Sequence, residues 1–260
     1  MTLLNTHVSL ILVNGIDRAA PVLRAVTRLG MTVGMPLAHV PFGRDLFARG
    51  AIDVHKFVYR AAAAAGATDL PVHLNVEPKA KFLPSVPPQG EQLRNGALDP
   101  VWFACAANAI AAALDTSPDR AHSLYKLLRV APHDLGDRRD EHTRRVNDAL
   151  MPLLHLVPVV TSAVYCRGQA HNPTADLNDH MLEARRVGVF ERWCLQLWGV
   201  QSSPDQATPI TPAQASAYAR FIRESRVPLV HVYAECETPA QAAAEAEGIQ
   251  RIATALRESE

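Results

Sequence analysis

The chain has 260 residues, 48% of them hydrophobic and 20% charged, a balance that supports a substantial core and excludes a disordered chain. Lys plus Arg and Asp plus Glu each number 26, so the formal charge is zero and the chain offers no electrostatic footprint for nucleic acid or an anionic membrane surface. No run reaches the roughly 20 apolar residues of a membrane span, and the start from Met1 to His7 lacks the basic region of a secretory signal, so a cytoplasmic protein is expected.

Apolar runs alternate with helical patterns along the chain. Val8 to Val13 reads as a buried strand closed by Asn14-Gly15, and Arg18 to Leu29 as a helix ended by Gly30. Met31 to Leu37 is a second strand, Phe42 to Ala65 is mostly helical, and Pro71 to Val76 is a third strand. The rhythm then breaks over residues 78–100, with Pro84, Pro87, Pro88 and Pro100, a loop longer than a simple connection and of a kind that often carries function. An alanine-rich helix is expected over 101–115, a second from Ser117-Pro118-Asp119 to about Arg129, and a third from Glu141 to Leu154.

The final third is the most regular. Strands are expected at Pro158 to Tyr165, Arg192 to Trp198 and Leu229 to Ala234, with loops at 166–175 and 199–210. A helix over Asp176 to Val187 separates the first two strands. Thr211-Pro212-Ala213-Gln214 and Thr238-Pro239-Ala240-Gln241 open the last two helices in the same way: threonine caps, proline takes the first turn, and glutamine reaches back.

Strands alternating with helices imply a parallel sheet. The expectation is one α/β domain over residues 1–260, a TIM-type (β/α) barrel that is irregular or incomplete, with an open parallel α/β sheet as the alternative. Six strands are clear, and one or two more are sought in irregular segments such as 122–131. No Gly-rich phosphate loop follows the first strand, which argues against a dinucleotide-binding fold. Cys105, Cys166, Cys194 and Cys236 form no CxxC pair and no zinc-like spacing, so buried free thiols are expected, and no cofactor.

In such barrels chemistry sits at the C-terminal ends of the strands. Alternation puts His73, Asn75 and Glu77 on one face of the third strand, three polar residues that need partners or a polar cavity. Glu77 is the first candidate catalytic residue. Tyr165 closes a later strand and could hydrogen-bond a substrate; Gln196 and Trp198 share a face near the next strand's end, where an indole could stack on a sugar ring. His231, Tyr233 and Glu235 share a face of the last strand, and Glu235, with Glu237 two positions on, supplies a second carboxylate. Two carboxylates can cleave a glycosidic bond at about 5–5.5 Å for retention or about 6.5–9.5 Å for inversion. His39, His73 and His231 allow a metal reading, but no HxH or HExxH pair anchors one.

The segments Asn75-Val76-Glu77-Pro78, Thr161-Ser162-Ala163-Val164-Tyr165, Leu182-Glu183-Ala184-Arg185-Arg186, Gln196-Leu197-Trp198-Gly199 and His231-Val232-Tyr233 resemble, in order, the TIM-barrel glycoside hydrolases and their hyaluronidase-like branch. The resemblance covers about two thirds of the chain and implies that Glu77 is the general acid/base and that Tyr165 orients the reacting group. Where that branch carries an aspartate this chain has Asn75, which removes the group that steadies the charge developing on a substrate acetamido group. Asn75 also resembles the Asn-Glu-Pro strand end of the larger retaining-glycosidase clan, interrupted here by Val76; that likeness implies Glu235 as nucleophile. The expected activity is cleavage of an O-glycosidic bond, with His73, Asn75, Tyr165, Gln196, Trp198 and Tyr233 binding a carbohydrate or small-molecule substrate. The alternatives are an inactive barrel that binds carbohydrate or a protein partner in a larger assembly, and a metal-dependent hydrolase or isomerase.

Overall fold

A computed structural model describes the backbone of the early strands, helical positions between residues 107 and 148, and residues 150–201, 207–234 and 238–258. The chain divides into two compact units. The first comprises Met1–Met35, Ser162–Asn178 and Glu191–Glu260; the second comprises Pro36–Thr161 and Asp179–Phe190.

In the first unit the short strand β1 (Thr2–Leu3) pairs antiparallel with β2 (Thr6–Leu12), and β2 pairs parallel with β10 (Leu229–Ala234). β10 pairs parallel with β9 (Trp193–Gln201), which neighbours β8 (Val159–Cys166). In the second unit the end of β3 (Thr32–His39), β4 (His73–Asn75), β7 (Ser123–Tyr125) and the start of β8 pair in parallel, in the order β8-β7-β4-β3. A separate ribbon joins β5 (Leu93–Arg94) to β6 (Ala97–Leu98).

β8 and β9 are buried on both faces, save for the half-buried Tyr165 in β8. That is why their sequences read as nearly unbroken apolar runs rather than alternating ones. Among the described helices, α1 (Thr174–Arg186) starts where the Asn172 Oδ1 accepts from both the N–H and the hydroxyl of Thr174, at 3.1 and 2.7 Å. It stops at Gly188, whose φ of +72° lets Val189 N–H reach the Ala184 carbonyl. The α2 helix (Pro212–Glu224) carries the expected capping box, with Thr211 N–H to Gln214 Oε1 at 2.9 Å and Gln214 N–H to Thr211 Oγ1 at 3.2 Å. Thr238 Oγ1 likewise accepts from Gln241 N–H at the start of α3 (Pro239–Glu258).

α3 crosses β9 at two glycines. A Cβ on Gly248 would lie 1.7 Å from the Gly199 carbonyl oxygen, so backbone meets backbone there. Beside this crossing the core closes over Trp193, whose indole N–H donates to Ser162 Oγ at 3.0 Å, and over Tyr218 of α2. No described helix is long and apolar enough to cross a membrane.

Two expectations are corrected, and one left with two readings is decided. Ser123–Tyr125 is a strand within the segment 122–131 named for a further one, not part of a helix running to about Arg129; parallel pairing to β4 and β8 overrides the local helical pattern. β9 runs on to Gln201 rather than stopping at Trp198, because Gln201 N–H bonds to the Thr208 carbonyl and Ile210 N–H to that of Gly199. The stretch read as one long loop after Pro78 contains the β5–β6 ribbon, whose two strands flank Asn95-Gly96, the dipeptide favoured in two-residue hairpins.

Candidate functional site

Laterally paired residues of parallel strands point to the same side of a sheet, so register sorts the candidate residues into rows. In the first unit His231 pairs with Gln196 on one side and Ser9 on the other, and Tyr233 pairs with Trp198 and Ile11. Two adjacent rows therefore carry Ser9, His231 and Gln196, and then Ile11, Tyr233 and Trp198 nearer the C-terminal ends. Opposite this face, Trp193 and Gly199 of β9 and Cys166 of β8 meet the helices or the core beneath them.

Tyr165 joins the second row through its ring. It meets Trp198 edge-on, with centroids 4.9 Å apart and planes at 71°, a favoured aromatic geometry. Trp198 is 7% exposed, while Tyr165 is half-buried. Gln196 is 2% exposed, and its Oε1 has no hydrogen-bond partner among the described residues. A buried amide oxygen left in that condition costs about 1–3 kcal/mol unless water or a ligand meets it. His231 is 3% exposed in the same row.

In the second unit His73 pairs with Leu37 and Ser123, and Asn75 with His39 and Tyr125. Tyr125 in turn pairs with Thr161. The row His39–Asn75–Tyr125–Thr161 brings four hydrogen-bonding residues to the ends of β3, β4 and β7. His39 and His73 lie two residues apart in register, so they do not face each other across the strands.

Glu77, Glu235 and Glu237 lie outside the described residues. Tyr233 is placed by its backbone in β10, as His73 and Asn75 are in β4. Sequence reasoning passed over Ser9, Tyr125 and Thr161. Ser9 was visible in the alternation of His7 and Ser9 with Val8, Leu10 and Leu12, the same signal that drew attention to His73 and Asn75. Tyr125 lies in the segment 122–131, which carries a helical reading and is also named as a place for a further strand.

The described cysteines, Cys166 and Cys194, are free and buried. Burial pushes the Cys166 thiol up to about 11; Asp176 adds to that, and the hydrogen bond with Tyr218 at 3.0 Å works against it. Cys194 is raised well above its ordinary value, again by burial. Both stay protonated at neutral pH, so neither serves as a nucleophile there. Among the described residues, no cluster of three His, Cys, Asp or Glu side chains is arranged to hold a metal.

No family model matches the chain, and no curated protein matches it in sequence. Solved structures do share its fold. Bee venom hyaluronidase superposes with a TM-score of 0.65 at 12% identity, over 97% of this chain and 99% of that one. The same enzyme in complex with a hyaluronic acid tetramer gives 0.61 at 13% identity, over 91% and 93%. The catalytic domain of a hyperthermophilic chitinase from Pyrococcus furiosus gives 0.51 at 10% identity, over 96% of each chain. These neighbours are TIM-barrel glycoside hydrolases, and their likeness bears out the resemblance in fold.

Proposed function

We propose that this glycoside-hydrolase-like α/β protein binds a carbohydrate at the C-terminal ends of its parallel strands and cleaves an O-glycosidic bond, with Glu77 as general acid/base. The single observation that carries the reading is a fold shared along nearly the whole chain with hyaluronidase and chitinase catalytic domains, one of them in complex with a hyaluronic acid tetramer. The rows of polar and aromatic residues support it. Asn75 stands one residue short of Val76-Glu77 at the end of β4, beside the registered Tyr125. Tyr165 presents a half-buried ring backed by Trp198, and Gln196 offers an amide oxygen with no partner among the described residues. In this reading His73, Asn75, Tyr165, Gln196, Trp198 and Tyr233 line the substrate, and Glu235 is the nucleophile.

Glu77 would protonate the leaving oxygen and then activate water as a base. A positioned general acid/base is worth about 10²–10⁴ in rate. Glu77→Gln should therefore lower turnover on the responsive glycoside of a broad panel by that factor, with the folded content unchanged by circular dichroism. Unchanged turnover removes Glu77 from the mechanism. The distance between the Glu77 and Glu235 carboxylates decides the role of Glu235, since a separation beyond about 10 Å excludes a two-carboxylate mechanism.

Asn75 favours a second reading, in which the strand ends bind a carbohydrate without cleaving it. It lacks the carboxylate that substrate-assisted hydrolysis requires at that place. Saturable glycan binding with no product, unaltered by Glu77→Gln, would select this reading.

A further inference from the structure

The first unit carries a cavity of about 660 Å³ between the β8–α1 loop and the outer side of α2, within the roughly 300–1,000 Å³ of small-molecule sites. We propose that it is a second carbohydrate-binding site, lined by none of the strand-end candidates Tyr165, Gln196, Trp198 and His231, and suited to a neutral oligosaccharide rather than an acidic one. The proposal does not depend on Glu77 or on catalysis.

The two walls are tied together in advance. Gln214 Nε2, from α2, donates to the carbonyls of Gly168 and His171 in the opposite loop, at 2.8 and 2.9 Å. The same side chain closes the cap on Thr211. Gly168 holds φ at +108°, a backbone state that L side chains rarely adopt, so the loop turns where glycine permits it. Asn172 is engaged in starting α1. A frame fixed in this way leaves little ordering cost to binding.

Its lining defines the ligand. Gln169, Asn178 and Ser216 project exposed amides and a hydroxyl that make no hydrogen bond among the described residues. Ala170, Pro173, Ala213 and Ala217 supply small apolar ledges between them. Amide and hydroxyl groups spaced by small apolar patches match the hydroxyl edges and C–H faces of sugar rings. Arg220 and Glu224 give the cavity one exposed charge of each sign, so it has no net attraction for an acidic chain. A phosphate finds no free helix start either. The Thr211 and Asn172 side chains already occupy N–H groups at the opening turns of α2 and α1. A peptide would need a sheet edge or deep apolar pockets, whereas Phe221, the large apolar group of the lining, is 5% exposed.

The test is a titration of the ¹⁵N-labelled full chain with chitohexaose, cellohexaose, maltohexaose and a hyaluronan hexamer, read by amide chemical shifts. It is run on the native chain and on Glu77→Gln, so that the outcome is independent of turnover. At least one neutral hexamer should move amides in residues 169–178 and 213–225, equally in both proteins. The double variant Asn178→Ala/Ser216→Ala alters two exposed side chains and should weaken that binding at least tenfold while leaving the unperturbed spectrum otherwise intact. Three results overturn the proposal: no neutral hexamer shifts these amides, hyaluronan binds there more tightly than every neutral hexamer, or the double variant binds as the native chain does.

Discussion

On the helix side of β8 to β10, every large or polar group described above meets a partner shaped to it. Trp193 donates to Ser162, Cys166 meets Tyr218, and Gly199 lies against the backbone of Gly248. On the opposite side of the same strands, Gln196 keeps a buried oxygen without a partner, and Tyr165 stays half open beside Trp198. Both faces are buried in β9, so burial does not distinguish them. The contacts at these residues do: Trp193 N–H has Ser162 Oγ as its acceptor, whereas Gln196 Oε1 has no partner among the described residues and can accept from a ligand. The comparison predicts that changes on the helix side act on stability and that changes on the other side act on binding.

The largest effect is expected at the glycine crossing. In Gly248→Ala the new Cβ would stand 1.7 Å from the Gly199 carbonyl oxygen. No rotamer change can relieve a clash between two backbones, so α3 itself must move away from β9. Overpacking costs about 1–3 kcal/mol, and this substitution belongs at or above the upper end. Urea unfolding should show a clear fall in midpoint, with little change in the binding of any glycan that the native chain takes. An unmoved midpoint would break the claim that the helix side is fitted this tightly.

How much of this was legible in the sequence follows from where the information lay. The capping box at Thr211 and Gln214 is local chemistry, and it was read residue for residue. Strands β8 and β10 were read to within a residue because each is a short apolar run bounded by a proline or a loop. The end of β9 was missed because it is set by bonds to Thr208 and Ile210, made across a loop. β7 falls inside the segment 122–131 named for a further strand, but its three residues carry too little period to outweigh the helical pattern around them, and the pairing to Asn75 and Thr161 decides between the two readings. At the site, alternation alone placed Gln196 with Trp198 and His231 with Tyr233. The joining of those pairs into rows with Ser9 and Ile11 required the parallel register. The Gly199–Gly248 approach had no sequence signal, since neither glycine falls in a turn.

An intermediate effect is expected in alkali, where the helix side again carries it. The Cys166 thiol is pushed by burial from 9.0 to about 11. The folded chain therefore keeps a proton that the unfolded chain releases first. Its contribution is fully present below about pH 9 and is lost as pH rises from 9 to 11. At about 1.4 kcal/mol per unit this amounts to roughly 2–3 kcal/mol. Cys194 and Tyr218, both raised by burial, act in the same direction. Urea midpoints measured from pH 8 to 11 should decline over that window, and Cys166→Ala, though less stable at pH 8, should decline less steeply. A flat profile, or an equal slope in the variant, would show that these thiols are not sealed as the packing implies.

The smallest expected change in stability is the one that sharpens the comparison most. Gln196→Leu replaces an amide by an apolar side chain of similar volume, at a place 2% exposed where Oε1 has no partner. Removing a buried acceptor that makes no bond releases its desolvation cost, so the variant should unfold within about 1 kcal/mol of the native chain, on either side. Binding at the strand ends should weaken at least tenfold, because the oxygen held ready for the ligand is gone. The opposite outcome is equally informative. A loss of about 1–3 kcal/mol with binding intact would mean that Gln196 is saturated by an internal water and belongs to the packing of the sheet. The two faces of β9 would then follow one rule, and the case for a ligand there would rest on Tyr165 and Trp198 alone.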